Sequence, residues 1–303
     1  MKRLLDHPVT PYLFIALAVL FWSGNAVVGR GSVGLVPPIA LSFWRWTGAL
    51  LIMLPIAGPD LIRSWPVLRQ NLGWTLVLSL LGVVFFNTLL YLGLQHTQAV
   101  NASLLTAGLP AMVIGLSWLV YRVRVTGRQG IGIFLSIVGV SIVVLRGDVG
   151  QLATLSLNKG DVIILVAVLD WAIYSMLLQR YRPLGLSGPV FLLATIILAV
   201  PIIGLLYLWE LSTGPQIVMT WQSFAAIGYA AVFPSVLSYL FYNQGLRMTD
   251  ANAAGVMLNV NPVFAVILAI IFLGEELFLF HGIGIVVIFS GLWMALRKGK
   301  AKN

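Results

Sequence analysis

The chain has 303 residues, of which 60% are hydrophobic and 9% charged, with a formal net charge of +9 and no cysteine. A soluble domain carries about 25% charged residues, so a soluble fold is excluded, and the lack of cysteine excludes disulfides and thiolate metal centres. Continuous apolar runs of about 20 residues, each enough to cross a hydrocarbon core about 30 Å thick, recur along the whole length, unlike the alternating segments of about 10 residues in a membrane β-barrel.

The runs predict an all-α polytopic membrane protein with ten spans, at 11–29, 37–55, 70–93, 98–120, 128–146, 160–180, 188–209, 221–246, 251–273 and 278–297. Span 1 follows Lys2 and Arg3 but outruns the short apolar core of a cleavable signal, so it is expected to be retained. It leads into Trp22, Ser23, Gly24 and Asn25. An indole and an amide three residues apart can stack on a ring and hydrogen-bond an amino or carboxyl group; the alternative is an interfacial-belt tryptophan. In span 2, Arg45 could hold a substrate carboxylate. Its position between Trp44 and Trp46, in the outer third of the span, favours a structural side chain that snorkels to the interface.

Span 3 supplies Phe86, Asn87 and Tyr91, and span 4 supplies Asn101, Thr106 and Pro110. Span 6 carries Asp170, expected to be the only acid deep in any span, followed by Trp171 and Tyr174. A carboxylate at that depth is a candidate to bind an ammonium or carry a proton; the alternative is a structural hydrogen bond, or an ion pair with Arg45. Span 8 sets Tyr239 and Asn243 one turn apart, near Ser235, Ser238 and Tyr242. Such aromatic stripes can be packing as well as cavity lining. Span 9 carries Asn252, Asn259, Asn261 and Pro262. Prolines inside helices leave a carbonyl without its partner, which makes Pro110 and Pro262 expected hinges.

With both termini on the cytoplasmic side, the inner segments hold 14 of the 18 basic residues and the outer loops hold Arg30, Arg146 and Lys159. This is the positive-inside bias, so the net charge reads as topology and not as nucleic-acid binding. No phosphate-binding glycine loop, HExxH or Ser-His-Asp arrangement is present, so neither an ATP engine nor an enzyme is expected, and no cofactor. Glu275, Glu276 and His281 come nearest to a catalytic cluster.

The chain also repeats. An offset of 152 residues carries Thr97 onto Thr249, Pro110 onto Pro262, and Gly130-Ile131-Gly132-Ile133 onto Gly282-Ile283-Gly284-Ile285. An offset of 149 carries Ala18–Trp22 onto Ala167–Trp171. The halves, 1–150 and 151–303, would each hold five spans. An odd number makes the repeats inverted, the recurrent plan of secondary transporters.

Five plus five spans, Phe21-Trp22-Ser23-Gly24-Asn25, the matched prolines and Gly274-Glu275-Glu276 resemble the EamA-type members of the drug/metabolite transporter superfamily, in particular bacterial exporters of aromatic and other neutral amino acids. That resemblance implies a basket of ten helices in the bacterial inner membrane. It also implies a cavity lined by helices 1, 3, 4, 6, 8 and 9, small-molecule substrates, and a monomer surrounded by lipid. The residues expected to bind substrate are Trp22, Asn25, Phe86, Asn87, Tyr91, Asn101, Asp170, Trp171, Tyr174, Tyr239, Asn243, Asn252 and Asn259. Nucleotide-sugar carriers and multidrug exporters share the fold and are the alternative. The half-length multidrug exporters use a glutamate in their first span, and span 1 here has no acid.

Overall fold

The computed structural model describes residues 10–122, 126–148, 158–181, 183, 185–248 and 260–296. Every regular element among these residues is helical. In chain order they are α1 (Thr10–Gly31), α2 (Pro38–Arg63), α3 (Trp65–Gln70), α4 (Leu72–Leu94), α5 (Ala99–Thr106), α6 (Leu109–Tyr121), α7 (Gly127–Val144), α8 (Lys159–Tyr181) and α9 (Gly188–Thr213). There follow α10, made of Trp221–Val232, Phe233–Leu237 and Ser238–Met248 end to end, then α11 (Asn261–Leu273) and α12 (Leu279–Leu296). Six helices, α1, α2, α4, α8, α9 and α10, are long and apolar enough to cross a membrane. Among the described residues the pair α5 and α6, bent by 42°, passes the same test only when taken together, as a broken span or a re-entrant loop, and α7, α11 and α12 are shorter apolar helices.

Local chemistry sets many of the ends. Ser187 and Thr220 cap α9 and α10 through their hydroxyls, and Thr126 forms a reciprocal capping box with Gln129 at the start of α7. Pro110 and Pro262 both lie in the first turn of a helix, α6 and α11 respectively. There the missing N–H breaks no bond, so each proline begins a helical segment where an interior kink was expected. At the other end of those helices, Arg122 (φ 54°) and Gly274 (φ 64°) form left-handed caps. The 152-residue offset relates this pair too.

Two expectations about the helices need correction. Helix α2 does not stop near residue 55; it continues through Pro55 and Pro59 to Arg63, as membrane helices tolerate. Helix α9 does not end at 209 but includes Glu210, which is buried.

The helices pair in a reciprocal pattern. Helix α1 packs on α10 and α11, while α8 packs on α4 and on α5–α6; α2 pairs with α9 and α7 with α12. In the last pair the matched glycines face one another. A Cβ on Gly284 would lie 3.3 Å from the carbonyl oxygen of Gly139, and one on Gly291 only 2.5 Å from that of Gly132. Small residues of this kind let membrane helices touch backbone to backbone. Leu51, Trp209, Phe272 and Leu279 point outward and stay exposed, as lipid-facing side chains do.

One end of the bundle is tied by polar bonds. The Glu210 carboxylate accepts from the N–H groups of Ile39 (3.0 Å) and Ala40 (2.7 Å) at the start of α2. Glu275 accepts likewise from Ala99 (2.9 Å) and Val100 (3.0 Å) at the start of α5. Both arrangements set a carboxylate at a helix N-terminus, where the dipole and free N–H groups favour it. Nearby, His281 accepts at Nδ1 from the Phe278 N–H, so its Nε2 donates to Asn101 Oδ1 at 2.8 Å. The chain continues from Asn101 Nδ2 to Thr97 Oγ1 (3.4 Å) and from Thr97 to Asp161 Oδ1 (2.5 Å). Asp161 and Glu210 thus join Asp170 as acids buried within helices, each at a helix end that hydrophobicity alone reads as boundary.

Candidate functional site

Helices α1, α2, α4 and α10 converge on one guanidinium. Arg45 is 3% exposed, so it does not snorkel; its side chain turns into the bundle, where oxygen acceptors from three neighbouring helices replace water. Its Nε donates to Ser235 Oγ (2.6 Å), and its Nη1 to Asn87 Oδ1 (2.6 Å), Tyr91 Oη (2.9 Å) and Asn25 Oδ1 (3.1 Å). The Tyr91 hydroxyl donates in turn to Asn25 Oδ1 at 2.7 Å. The Trp46 ring lies 4.8 Å from the guanidinium carbon, within cation–π range. All four acceptors are neutral. The one ion pair among the described residues is the exposed Arg63–Asp60, so Arg45 is not the partner of Asp170.

Two π-helical segments flank this centre, Leu80–Phe85 in α4 and Phe233–Leu237 in α10. The 152-residue offset carries 81–85 onto 233–237. In the second segment the cause is visible: Pro234 has no N–H to give the Ala230 carbonyl, and the Ser235 hydroxyl donates to it instead, at 2.8 Å. That hydroxyl also receives Arg45. In the first, Asn87 Nδ2 donates to the Gly82 carbonyl at 3.4 Å. Such segments concentrate at functional sites, and here each supports an Arg45 ligand.

The Phe21–Asn25 stretch has a contact for every residue. The Phe21 carbonyl accepts from the Tyr229 hydroxyl at 3.1 Å. Trp22 Nε1 donates to the Pro234 carbonyl at 3.0 Å, and the Trp22 ring stands 5.8 Å from Tyr239 and 5.6 Å from Tyr242. Trp22 is therefore held by α10. Ser23 donates to the Asn261 carbonyl at 3.0 Å. Gly24 admits the Tyr229 hydroxyl, which would lie 2.0 Å from any Cβ there.

On α8, Asp170 is 9% exposed and its Oδ2 meets no donor. The neighbouring Trp171 ring lies 4.5 Å from Phe86 and 4.8 Å from Tyr174, and Tyr174 covers Gly82 in the first π segment. The half-buried rings thus form two seams, Trp22 with Tyr239 and Tyr242, and Trp171 with Phe86 and Tyr174. A concavity of about 410 Å³ opens elsewhere, beside Glu275, lined by Arg30, Gln98, Leu273, Glu276 and Phe278.

Of the expected residues the structure gathers Asn25, Asn87 and Tyr91 around Arg45, sets Trp22 against Tyr239, and sets Trp171 against Phe86 and Tyr174, while Asp170 Oδ2 is buried without a donor. Asn101 belongs to the His281–Asp161 chain instead. Asn252, Asn259 and the Asn243 side chain lie outside the described residues. Sequence reasoning passed over Ser235 as an Arg45 partner and expected Arg45 to snorkel to the interface, whereas it is buried in the bundle. Glu275 and His281 serve as a helix cap and a buried hydrogen-bond donor. No group of three metal-ligating side chains occurs among the described residues.

Comparison with known proteins accords with this architecture. The pattern of the EamA-like transporter family matches residues 9–145 and again 158–297. The chain is 27% identical over 288 residues to the uncharacterized transporter YyaM of Bacillus subtilis, covering 94% of this chain and 92% of that one. It is 27% identical over 301 residues to an uncharacterized transporter of Archaeoglobus fulgidus, covering 95% and 97%. One solved crystal structure superposes with a TM-score of 0.62 at 18% identity, covering 96% of this chain and 97% of that one, a likeness of fold.

Proposed function

Since the chain belongs to the EamA-like transporter family, we propose that it is a secondary transporter exporting neutral amino acids with aromatic or bulky hydrophobic side chains. It would do so across a bacterial inner membrane, by alternating access between two inverted five-helix halves, residues 1–150 and 151–303. Were the bent pair α5–α6 one span and the three shorter apolar helices crossings as well, the described helices would number the ten this reading requires. The reciprocal packing of α1 on α10 and α8 on α4 is what a two-fold relation between inverted halves predicts. The positive-inside bias supports a cytoplasmic side for both termini.

The observation that supports the substrate reading is a buried carboxylate oxygen without a donor on the residue that precedes Trp171, whose ring packs with Phe86 and Tyr174. The seams offer π faces and wide apolar area to a ring or bulky side chain. Asp170, beside Trp171, offers an acceptor to an ammonium group. A nucleotide-sugar carrier would need several cations for a diphosphate, whereas Arg45 is the one described inside this cluster.

Efflux of labelled phenylalanine, leucine and glutamate from proteoliposomes tests the reading. Phenylalanine and leucine should leave faster than glutamate. Trp171→Ala and Tyr239→Ala should each slow phenylalanine efflux roughly tenfold, the value of one lost aromatic contact, at unchanged membrane abundance. Equal rates for all three substrates would refute the selectivity, and failure of both variants to accumulate would make the rings packing.

A further inference from the structure

We propose that α5 is a hinged plug across one end of the transport path, latched at its N-terminus by Glu275, His281 and Asp161 and hinged just before Pro110. The proposal rests on the transporter reading above for what the opening serves, and on no particular substrate.

The position of α5 sets it apart. It has eight residues, Ala99–Thr106, and six helices, α1, α4, α7, α8, α11 and α12, pack around it. Ala99 to Leu105 are all buried, none more than 3% exposed. A helix this short is marginal on its own, so what surrounds α5 decides where it stays.

Its two ends differ. At the C-terminal end the helical ladder is broken: α5 and α6 meet at a bend of 42°, and Pro110 has no N–H to give the Thr106 carbonyl. At the N-terminal end other elements hold the helix. Glu275 accepts from the N–H groups of Ala99 and Val100, His281 donates to Asn101, and Thr97, two residues before α5, donates to Asp161. Each tie joins a residue between 97 and 101 to a group in the second half of the chain. A swing of α5 about the break would therefore part all three together.

Two features make these ties a latch and not a fixed knot. The concavity of about 410 Å³ beside Glu275 is lined by Gln98, the residue that precedes α5, together with Arg30, Leu273 and Phe278. Space thus adjoins the end of the helix that would move. Asp161, in turn, is fully buried, yet its Oδ2 has no donor. A dry acceptor is costly. Water entering as α5 moves would supply that missing bond and solvate the first-turn N–H groups released from Glu275, so part of the cost of opening is offset.

The chain has no cysteine, so one introduced thiol reports the opening. Ser103→Cys places it within α5, at a site 3% exposed; Ser79→Cys, at a fully buried site in α4 toward the other end, is the control. The purified full-length chain in detergent is treated with a charged, water-soluble maleimide at fixed pH, with thermal unfolding followed in parallel. Ser103→Cys should react far more slowly than the same chain denatured. Adding Thr97→Val or Glu275→Gln should quicken it roughly five- to tenfold, the shift in a local opening equilibrium when one hydrogen bond is lost, and should leave Ser79→Cys unchanged. Thr97→Ser, which keeps the hydroxyl, should stay near the rate of Ser103→Cys alone. If neither Thr97→Val nor Glu275→Gln quickens the reaction, the ties do not hold the plug and the proposal is overturned. Equal acceleration at both thiols overturns it as well, because the whole bundle would then be loosening. If the labelling follows the expected pattern while phenylalanine shows no counterflow in proteoliposomes, the amino-acid reading fails and the plug stands.

Discussion

Tyr91 and Gly24 hold the centre in opposite ways, one through what its side chain bonds and one through having no side chain. The Tyr91 hydroxyl accepts from Arg45 and donates to Asn25 at 1% exposure. Tyr91→Phe removes both bonds and leaves their partners buried, so it should lower stability by about 1–3 kcal/mol, measured as thermal unfolding in detergent. Gly24 leaves room for the Tyr229 hydroxyl. Gly24→Ala must push that ring aside, at a cost of about 1–3 kcal/mol, and Tyr229→Phe in the same chain should recover part of the loss. An additive double variant would show that the contact is not what Gly24 is for. At this scale the sequence was informative where a polar group stood alone in lipid. Asn25, Asn87 and Asp170 announce themselves because hydrocarbon gives them no other partner. The orientation of Arg45 was not legible. A long cation seven residues into an apolar helix can reach either the interface or the core, and helix rotation, which decides between them, leaves little trace when both faces are greasy.

The ends of the helices carry their own test. Glu210 binds two N–H groups of α2 from α9, at 7% exposure. Glu210→Gln keeps the shape but loses the charge that the α2 N-terminus favours, and should lower stability by about 1–3 kcal/mol in the same unfolding assay. Glu275→Gln, at a more exposed cap, should cost less. An equal effect at both sites would mean that burial does not govern these caps. Sequence could locate the helices because apolar runs and Gly, Pro and charge punctuate them, yet it misjudged α2 and α9. In α2, prolines that would end a soluble helix do not end a lipid-embedded one; in α9, a terminal glutamate reads as loop until its partners across the bundle are known. The paired π segments were invisible for a plainer reason: residues 81–85 and 233–237 share only Val84 and Val236. Their positional match is a property of backbone geometry that the repeat has kept while its side chains diverged.

For the whole molecule, the matched glycines of α7 and α12, the first-turn prolines of α6 and α11, the left-handed caps at Arg122 and Gly274 and the two π segments all follow one offset. The halves share a frame and differ in charge: Arg45 stands in the first and Asp170 in the second. A carrier of the kind proposed exposes one site between such halves to each side of the membrane in turn. Counterflow in proteoliposomes tests this most directly, because it requires neither an ion gradient nor ATP. Vesicles loaded with millimolar unlabelled phenylalanine and diluted into trace labelled phenylalanine should accumulate label in a transient overshoot, and the overshoot should vanish in Asp170→Asn. A monotonic approach to equilibrium, as through a pore, or no entry of label for phenylalanine or any other neutral amino acid, would contradict the account.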